Sequence, residues 1–306
     1  MKITTHERQM KTGEIRFNHS NDVTFSLKLI VYLLLIIIGI RLCLLSNFAW
    51  QILGTILLGA MFAHSIELQH QVLHAQGFRD RQTNNFIGIL LGIPMLVSYY
   101  DYRSAHLHHH KYLGTLENEE FFDYGDQYGQ KGLASVALWV MRLFIPSHYV
   151  KFFKNAALAI IGSNYKKKNP DISKNMRHDY LIMLTIVSAA IFFDIYTKSF
   201  FFTKVWFIPL LVIAGPVHAL IEMPEHFQCN TNSKNPYENT RTIKSNAFMY
   251  WFTNGNNYHV EHHLMPGLQI DRLHDLHESI RGECKFLCSG YWEFYGKVIR
   301  SMLTRG

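Results

Sequence analysis

Apolar residues along this chain fall in long, nearly unbroken runs instead of recurring at the spacing of a half-buried helix or strand. Four runs, near 29–45, 48–68, 180–197 and 204–222, approach the ~20 residues that carry a helix across a bilayer. The first two are separated by Ser46-Asn47, uncharged and too short for anything but a tight turn, and the link between the last two carries only Lys198 and Lys204. The pattern therefore predicts two antiparallel pairs, with the N-terminus, the long middle segment and the C-terminal third on one side of the membrane. Arg41, near the far end of the first run, can extend its side chain to the headgroups.

Between the pairs, residues 86–100 contain Gly88, Gly92 and Pro94, a composition and length that suit a re-entrant or interfacial segment better than a crossing. Residues 133–145 are amphipathic and predict a helix lying on the membrane surface. Pro224 is placed to end the fourth span, Pro266-Gly267 stops a later helix, and 268–306 reads as soluble helices. The resulting fold class is an all-α integral membrane protein, with four transmembrane helices in two hairpins under a cytoplasmic helical cap. Three stretches organise it: a polar tail at 1–28, the membrane domain and cap at 29–280, and a C-terminal helical tail at 281–306. The tail does not resemble a cleavable signal, because its first apolar run begins late and lacks a small-residue cleavage site.

Charge assigns the side. The 306 residues carry a net +7, and Lys166, Lys167, Lys168, Lys174 and Arg177 gather in the middle segment, which the positive-inside rule makes cytoplasmic. An acidic run, 117–123, offsets them locally. No helix-turn-helix or RNA-binding signature accompanies the basic balance, so nucleic acid is excluded as a partner. Cys43, Cys229, Cys284 and Cys288 form no CxxC pair and read as free thiols; Cys284 and Cys288 at i, i+4 are an incomplete metal site.

Histidine changes the picture most, at 18 residues. His70 and His74 stand at i, i+4; His106, His109 and His110 at i, i+3, i+4; and His259, His262 and His263 repeat those offsets, so each set shares one helix face. Neutral imidazole is the commonest protein ligand for borderline transition metals, and three sets in register point to a metal site. The donors are too many for one tetrahedral zinc and suit two metals with open positions. Gln71 follows His70, so the HExxH signature of zinc proteases is absent. The Glu and Glu-x-x-His sets of carboxylate-bridged di-iron bundles are missing too. Iron with open positions for dioxygen, at the mouth of a membrane bundle, suits oxidation of a hydrophobic substrate.

These three boxes, with Glu225-His226 between the second and third, resemble the membrane fatty acid desaturase and hydroxylase superfamily. So do His-His-Lys-Tyr-Leu-Gly at 109–114, Glu-Asn-Thr-Arg-Thr at 238–242 and Asn-Tyr-His-Val-Glu-His-His-Leu-Met-Pro at 257–266. The likeness covers about residues 60–280. It implies a mushroom-shaped fold whose cap holds a non-haem di-iron centre with nine histidines, O2 being the co-substrate. His70, His106, His110 and His259 are then expected on one iron, and His74, His109, His226, His262 and His263 on the other. Glu222, one turn before His226, stands where a family member holds a water or polar contact to the first iron. Glu67, Asp101, Glu225 and Glu261 are candidates to fix imidazole tautomers. His64, His108 and His218 complete no box and read as polar contacts or site lining, and His148, His178, His274 and His277 as solvated.

The implied reaction removes two hydrogens from an acyl or other lipid-like chain, with no separate protein acid or base. Electrons come from outside, from a ferredoxin or cytochrome b5-type partner on the basic face. The chain has neither a four-cysteine iron–sulfur run nor a His-Pro-Gly-Gly haem motif. Hydroxylation, ketolation, acetylenation and oxidative decarboxylation share such a site. A zinc hydrolase or a non-catalytic metal carrier is the alternative from another class.

Overall fold

The computed structural model describes residues 19–118, 132–162 and 169–304; the first 18 residues of the polar tail, the acidic positions 119–123 and the lysines at 166–168 lie outside the described residues. The described chain is almost wholly helical. Helices α1 (His19–Cys43) and α2 (Phe48–Leu73) come first, then α3 (Arg81–Gly92), α4 (Tyr99–Tyr112), α5 (Gly132–Phe144), α6 (Pro146–Ile160) and α7 (Pro170–Thr197). A wider-wound segment then leads into α8 (Gly215–Glu222), and α9 (Pro236–Asn239), α10 (Ala247–Phe252), α11 (His259–Leu264), α12 (Leu273–Ile280) and α13 (Tyr291–Thr304) complete the set. One departure from an all-α chain is a pair of two-residue strands, β1 (Thr242–Ile243) and β2 (Leu287–Cys288), paired in parallel with Thr242 opposite Leu287.

Four helical segments are long and apolar enough to cross a membrane: Asp22–Cys43, Phe48–Leu73, Pro170–Thr197 and Thr203–Glu225. Their outer faces leave Leu33, Leu34, Ile37, Ile38, Phe192, Phe193 and Ile195 exposed, an apolar belt of the kind a bilayer covers. The third starts ten residues earlier than its apolar run. Asn169 caps it by accepting from the Asp171 N–H at 2.9 Å, and Pro170 fills the first turn, where no N–H is needed. A hydropathy pattern is blind to such a polar first turn. Asn47 caps α2 in the same way, accepting from Ala49 N–H at 2.9 Å, so the short link works as a turn and a cap together. At the other link Asp194 caps the following segment through the N–H groups of Phe202 and Thr203.

Helix α3 has 12 residues, about 18 Å of rise, and cannot span a ~30 Å hydrocarbon layer. It ends at the turn through Pro94 and Leu96, the latter left-handed at φ 57°. The chain then doubles back into α4, whose first residue, Tyr99, lies over Gly88: a Cβ there would enter the ring. Gly59 acts similarly on α2, where a Cβ would collide with Ile213 and with the Pro209 carbonyl of the last span. The spans meet the C-terminal third through polar pins. Lys28 Nζ on α1 donates to Asn254 Oδ1 at 2.8 Å and pairs with Asp271 at 2.7 Å, and Gln76 Nε2 reaches the Pro266 and Leu268 carbonyls, each at 2.9 Å.

Candidate metal centre

Nine imidazoles converge where α2, α4, the turn after α8 and α11 meet. Helix α2 runs five residues beyond its apolar stretch, so His70 sits inside it and His74 is its C-cap. Arg103 Nε on α4 donates to the Leu73 carbonyl at 3.1 Å, satisfying the end of α2 and fixing α4 beside it. His106, His109 and His110 follow one turn further along α4. Pro224 breaks the last span into a tight turn at Met223–Glu225, which delivers His226.

Helix α11 has only six residues and is held from behind. Glu261, on its back face, is fully buried, accepts a hydrogen bond from Thr242 Oγ1 and pairs with His277 Nδ1 at 2.6 Å. Its forward face presents His259, His262 and His263.

The donor atoms form two groups, His70, His74, His106, His110 and His262 in one and His109, His226, His259 and His263 in the other, each with its atoms within 4.8 Å of one another. This division differs from the expected one: His259 joins the second group, and His74 and His262 join the first. In the first, His106 Nε2 lies 2.8 Å from that of His70, 3.0 Å from that of His74 and 2.9 Å from that of His110, and His110 Nε2 lies 2.9 Å from that of His262. In the second, Nε2 pairs at 3.2 Å (His109 and His263), 3.1 Å (His226 and His259) and 3.1 Å (His263 and His259). The two groups abut where the His110 and His263 rings approach to 4.2 Å.

Proton counting argues for a cation between these atoms. A neutral imidazole has one N–H, so His106 Nε2 can satisfy at most one of its three nitrogen neighbours, and the rest are lone pair against lone pair. The Nδ1 side is already engaged at His109, by Asn118 Oδ1 at 2.9 Å, and at His226, by the Asn239 carbonyl at 3.0 Å, which leaves Nε2 as the lone-pair side. Burial, and after it the neighbouring imidazoles, holds His74, His106, His110, His259, His262 and His263 well below the ordinary histidine value. Burial lowers His226 to about 4. Neutral imidazoles with convergent lone pairs are the ligand form, and the residues fit a pair of metal ions.

The other predicted residues divide. Glu225 is at the donor side, its Oε2 3.3 Å from His259 Nε2 and its Oε1 accepting from Asn256 Nδ2 at 3.0 Å. Glu67, His218 and Glu222 gather as a separate group. Asp101 accepts from Tyr180 Oη at 2.9 Å and pairs with Lys151 at 3.2 Å. His64 Nδ1 bonds the Phe252 carbonyl at 2.6 Å, and His108 stacks on Tyr112 at 4.3 Å. His178 and His274 are exposed as expected. His277 is not solvated but 1% exposed against Glu261, and His148 donates to the Met95 carbonyl at 2.9 Å.

Missing from the sequence reading were the roles of Asn239, Arg241 and Thr242. Asn239 orients His226, Arg241 clamps the turn before it through the Pro224 and Phe227 carbonyls, and Thr242 holds Glu261. The signal was present in Glu-Asn-Thr-Arg-Thr, a polar run in which Asn239, Arg241 and Thr242 are buried and each bonds a different piece of the centre.

Apolar helices long enough to span a bilayer, with a histidine-lined junction that could hold metal at their ends, define the class of protein. The chain belongs to the fatty acid desaturase family, whose family model matches residues 47–295. Among curated proteins it is similar to a dihydrorhizobitoxine desaturase of Bradyrhizobium elkanii, 27% identical over 236 residues, covering 72% of this chain and 65% of that protein. It is also similar to a fatty acid desaturase of Bacillus subtilis (strain 168), 22% identical over 230 residues, covering 69% and 64% respectively. The chain thus spans just under two thirds of the length of both. Family membership and four apolar helices fit a multi-pass membrane protein, and its histidine cluster could hold metal.

Proposed function

We propose that this protein is an O2-dependent, non-haem di-iron desaturase that introduces a double bond into an acyl or other lipid-like chain. One observation carries the reading: nine imidazoles from four separate elements bring their Nε2 atoms together in two adjoining groups. His70, His74, His106, His110 and His262 would hold one ion, and His109, His226, His259 and His263 the other, with Glu225 beside the second. When bound, an iron pair supplies the oxidising power to remove hydrogen from an unactivated carbon. The chain's own part is positional. Asn118 and Asn239 hold imidazole orientation through Nδ1, and Glu261 with His277 and Thr242 fixes the helix that carries three of the rings.

The two membrane pairs act as hairpins with the centre on the cytoplasmic side, and residues 29–280 work as one unit between the two tails. Lys174 and Arg177, on the face expected to be cytoplasmic, form part of a docking surface for a ferredoxin or cytochrome b5-type electron donor. Relatives named for a fatty acid and for dihydrorhizobitoxine both match, so the likeness supports the reaction type more than the substrate. The test is anaerobic iron loading of the purified protein and expression with a reductase partner, followed by mass spectrometry of extracted lipids and small metabolites. A product lighter by two hydrogens, lost together with bound iron in His109→Ala, is expected. Tightly held zinc without oxygen consumption would overturn the reading, and a product heavier by one oxygen would make the enzyme a hydroxylase.

A further inference from the structure

We infer that Glu67, His218 and Glu222 form a third metal-ion site, separate from the nine-histidine groups and assembled inside the membrane-spanning helices. The inference does not depend on which ions the nine imidazoles hold. One donor atom from each of the three residues lies within 4.8 Å of the other two. Glu67 is 2%, His218 1% and Glu222 9% exposed. Glu67 comes from α2, one turn before His70, while His218 and Glu222 are successive turns of α8 before His226. The group therefore sits about one helical turn, ~5 Å, toward the membrane from the box histidines.

Two features point to a cation. Glu67 Oε1 has no hydrogen-bond partner, although it is buried beside the other two donors. Among the described residues, no lysine or arginine forms an ion pair with Glu67 or Glu222. Two carboxylates in such a place each cost several kcal/mol of desolvation, which a positive charge shared between them would offset.

The spacing suits a shared metal. His218 Nε2 and Glu222 Oε2 are 3.4 Å apart, beyond the 2.7–3.2 Å range of a good N–H···O bond. Tetrahedral ligands at ~2.0–2.1 Å from one ion stand roughly 3.4 Å from each other. Two hard oxygens and a borderline nitrogen suit a divalent first-row ion, and three protein donors leave a position open.

The full chain in detergent, loaded anaerobically with ferrous iron and dialysed, provides the test by metal analysis. Wild type should retain about three ions per chain, and Glu222→Gln or Glu67→Gln, each near-isosteric and checked for monodisperse elution, about two. His109→Ala should lose metal from the nine-histidine groups and keep the third ion. A metal count that both Gln variants leave at the wild-type value overturns the site while leaving the desaturase reading intact. Metal lost only in the Gln variants, with none lost in His109→Ala, supports the site and removes that reading instead. Should neither Gln variant fold, metal-edge anomalous scattering from wild-type crystals decides: an ion about 2.1 Å from His218 Nε2 is expected, and none there is the refuting result.

Discussion

Breaking the contact between Glu261 and His277 should loosen the centre from behind without touching a metal-facing nitrogen. Glu261 is completely buried between two partners, His277 Nδ1 at 2.6 Å and Thr242 Oγ1. Its neighbours in sequence, His259, His262 and His263, project from the opposite face of the same six-residue helix. His277→Ala leaves the carboxylate buried with Thr242 alone. Leaving a buried acceptor without one of its two hydrogen-bond partners costs about 1–3 kcal/mol, above the ~0.5 kcal/mol of a typical surface change. Glu261→Gln keeps the shape and both contacts in neutral form and should cost only about 1–1.5 kcal/mol. Replacing both residues by leucine removes the unpaired charge and should recover much of the His277→Ala loss. The assay is the unfolding midpoint of the purified protein in detergent, read beside iron content. A His277→Ala variant within 0.5 kcal/mol of wild type, or a double leucine variant no better than His277→Ala, would refute the claim that this pair anchors the third histidine box.

Three further outcomes follow from the same geometry. Asn239→Ala removes the side-chain contact to His226 Nδ1 and two bonds that shape the backbone carbonyl's position, so metal affinity should fall about 10–100-fold in competition with a chelator. Gly59→Val places a branched side chain against Ile213 and the Pro209 carbonyl and should destabilise by about 1–3 kcal/mol, seen as a lower melting temperature in detergent. The metal-free protein should lose stability in acid: with His226 lowered to about 4, the unfolded chain binds a proton below the ordinary histidine value of 6.5 that the folded one refuses. The contribution is therefore full above pH ~6.5 and declines toward pH ~4 at about 1.4 kcal/mol per pH unit for each such imidazole, and a melting temperature independent of pH across that window would contradict it.

What the sequence made legible was set by periodicity. The four apolar runs located the spans, and the i, i+3, i+4 offsets located eight imidazoles, because both are repeats that a helix converts directly into a line or a face. His226 came only through its family-like setting, since a lone histidine after a proline break has no periodic partner. The allocation of donors between the two groups was misread at His74, His259 and His262, because helical spacing fixes which residues share a face but not which neighbouring helix that face meets. His277 looked solvated for a related reason: its partner, Glu261, lies 16 residues away across a turn. The early start of α7 at Pro170 was hidden because Asn169 and Pro170 act through a cap and a fixed dihedral, neither of which a hydropathy run registers.

Preorganisation explains why so many buried polar side chains surround the centre without facing it. Bringing Nε2 atoms within 2.8–3.2 Å of one another is unfavourable before a cation arrives, so something must oppose the rings' tendency to turn apart. Each contributing element has such a restraint behind it. Asn254 and Gln71 pin α2, Arg103 ties α4 to the end of α2, Arg241 grips two carbonyls of the turn before His226, and Glu261 locks α11 to α12 through His277. Most of these restraints are hydrogen bonds to backbone carbonyls or between buried polar groups, interactions that weaken little with small shifts in packing and fix direction as well as distance. A purely apolar support would fill the same volume but leave the rings free to rotate about χ1 and χ2. The polar shell therefore carries the directional part of the design, and the membrane spans beneath it carry the burial.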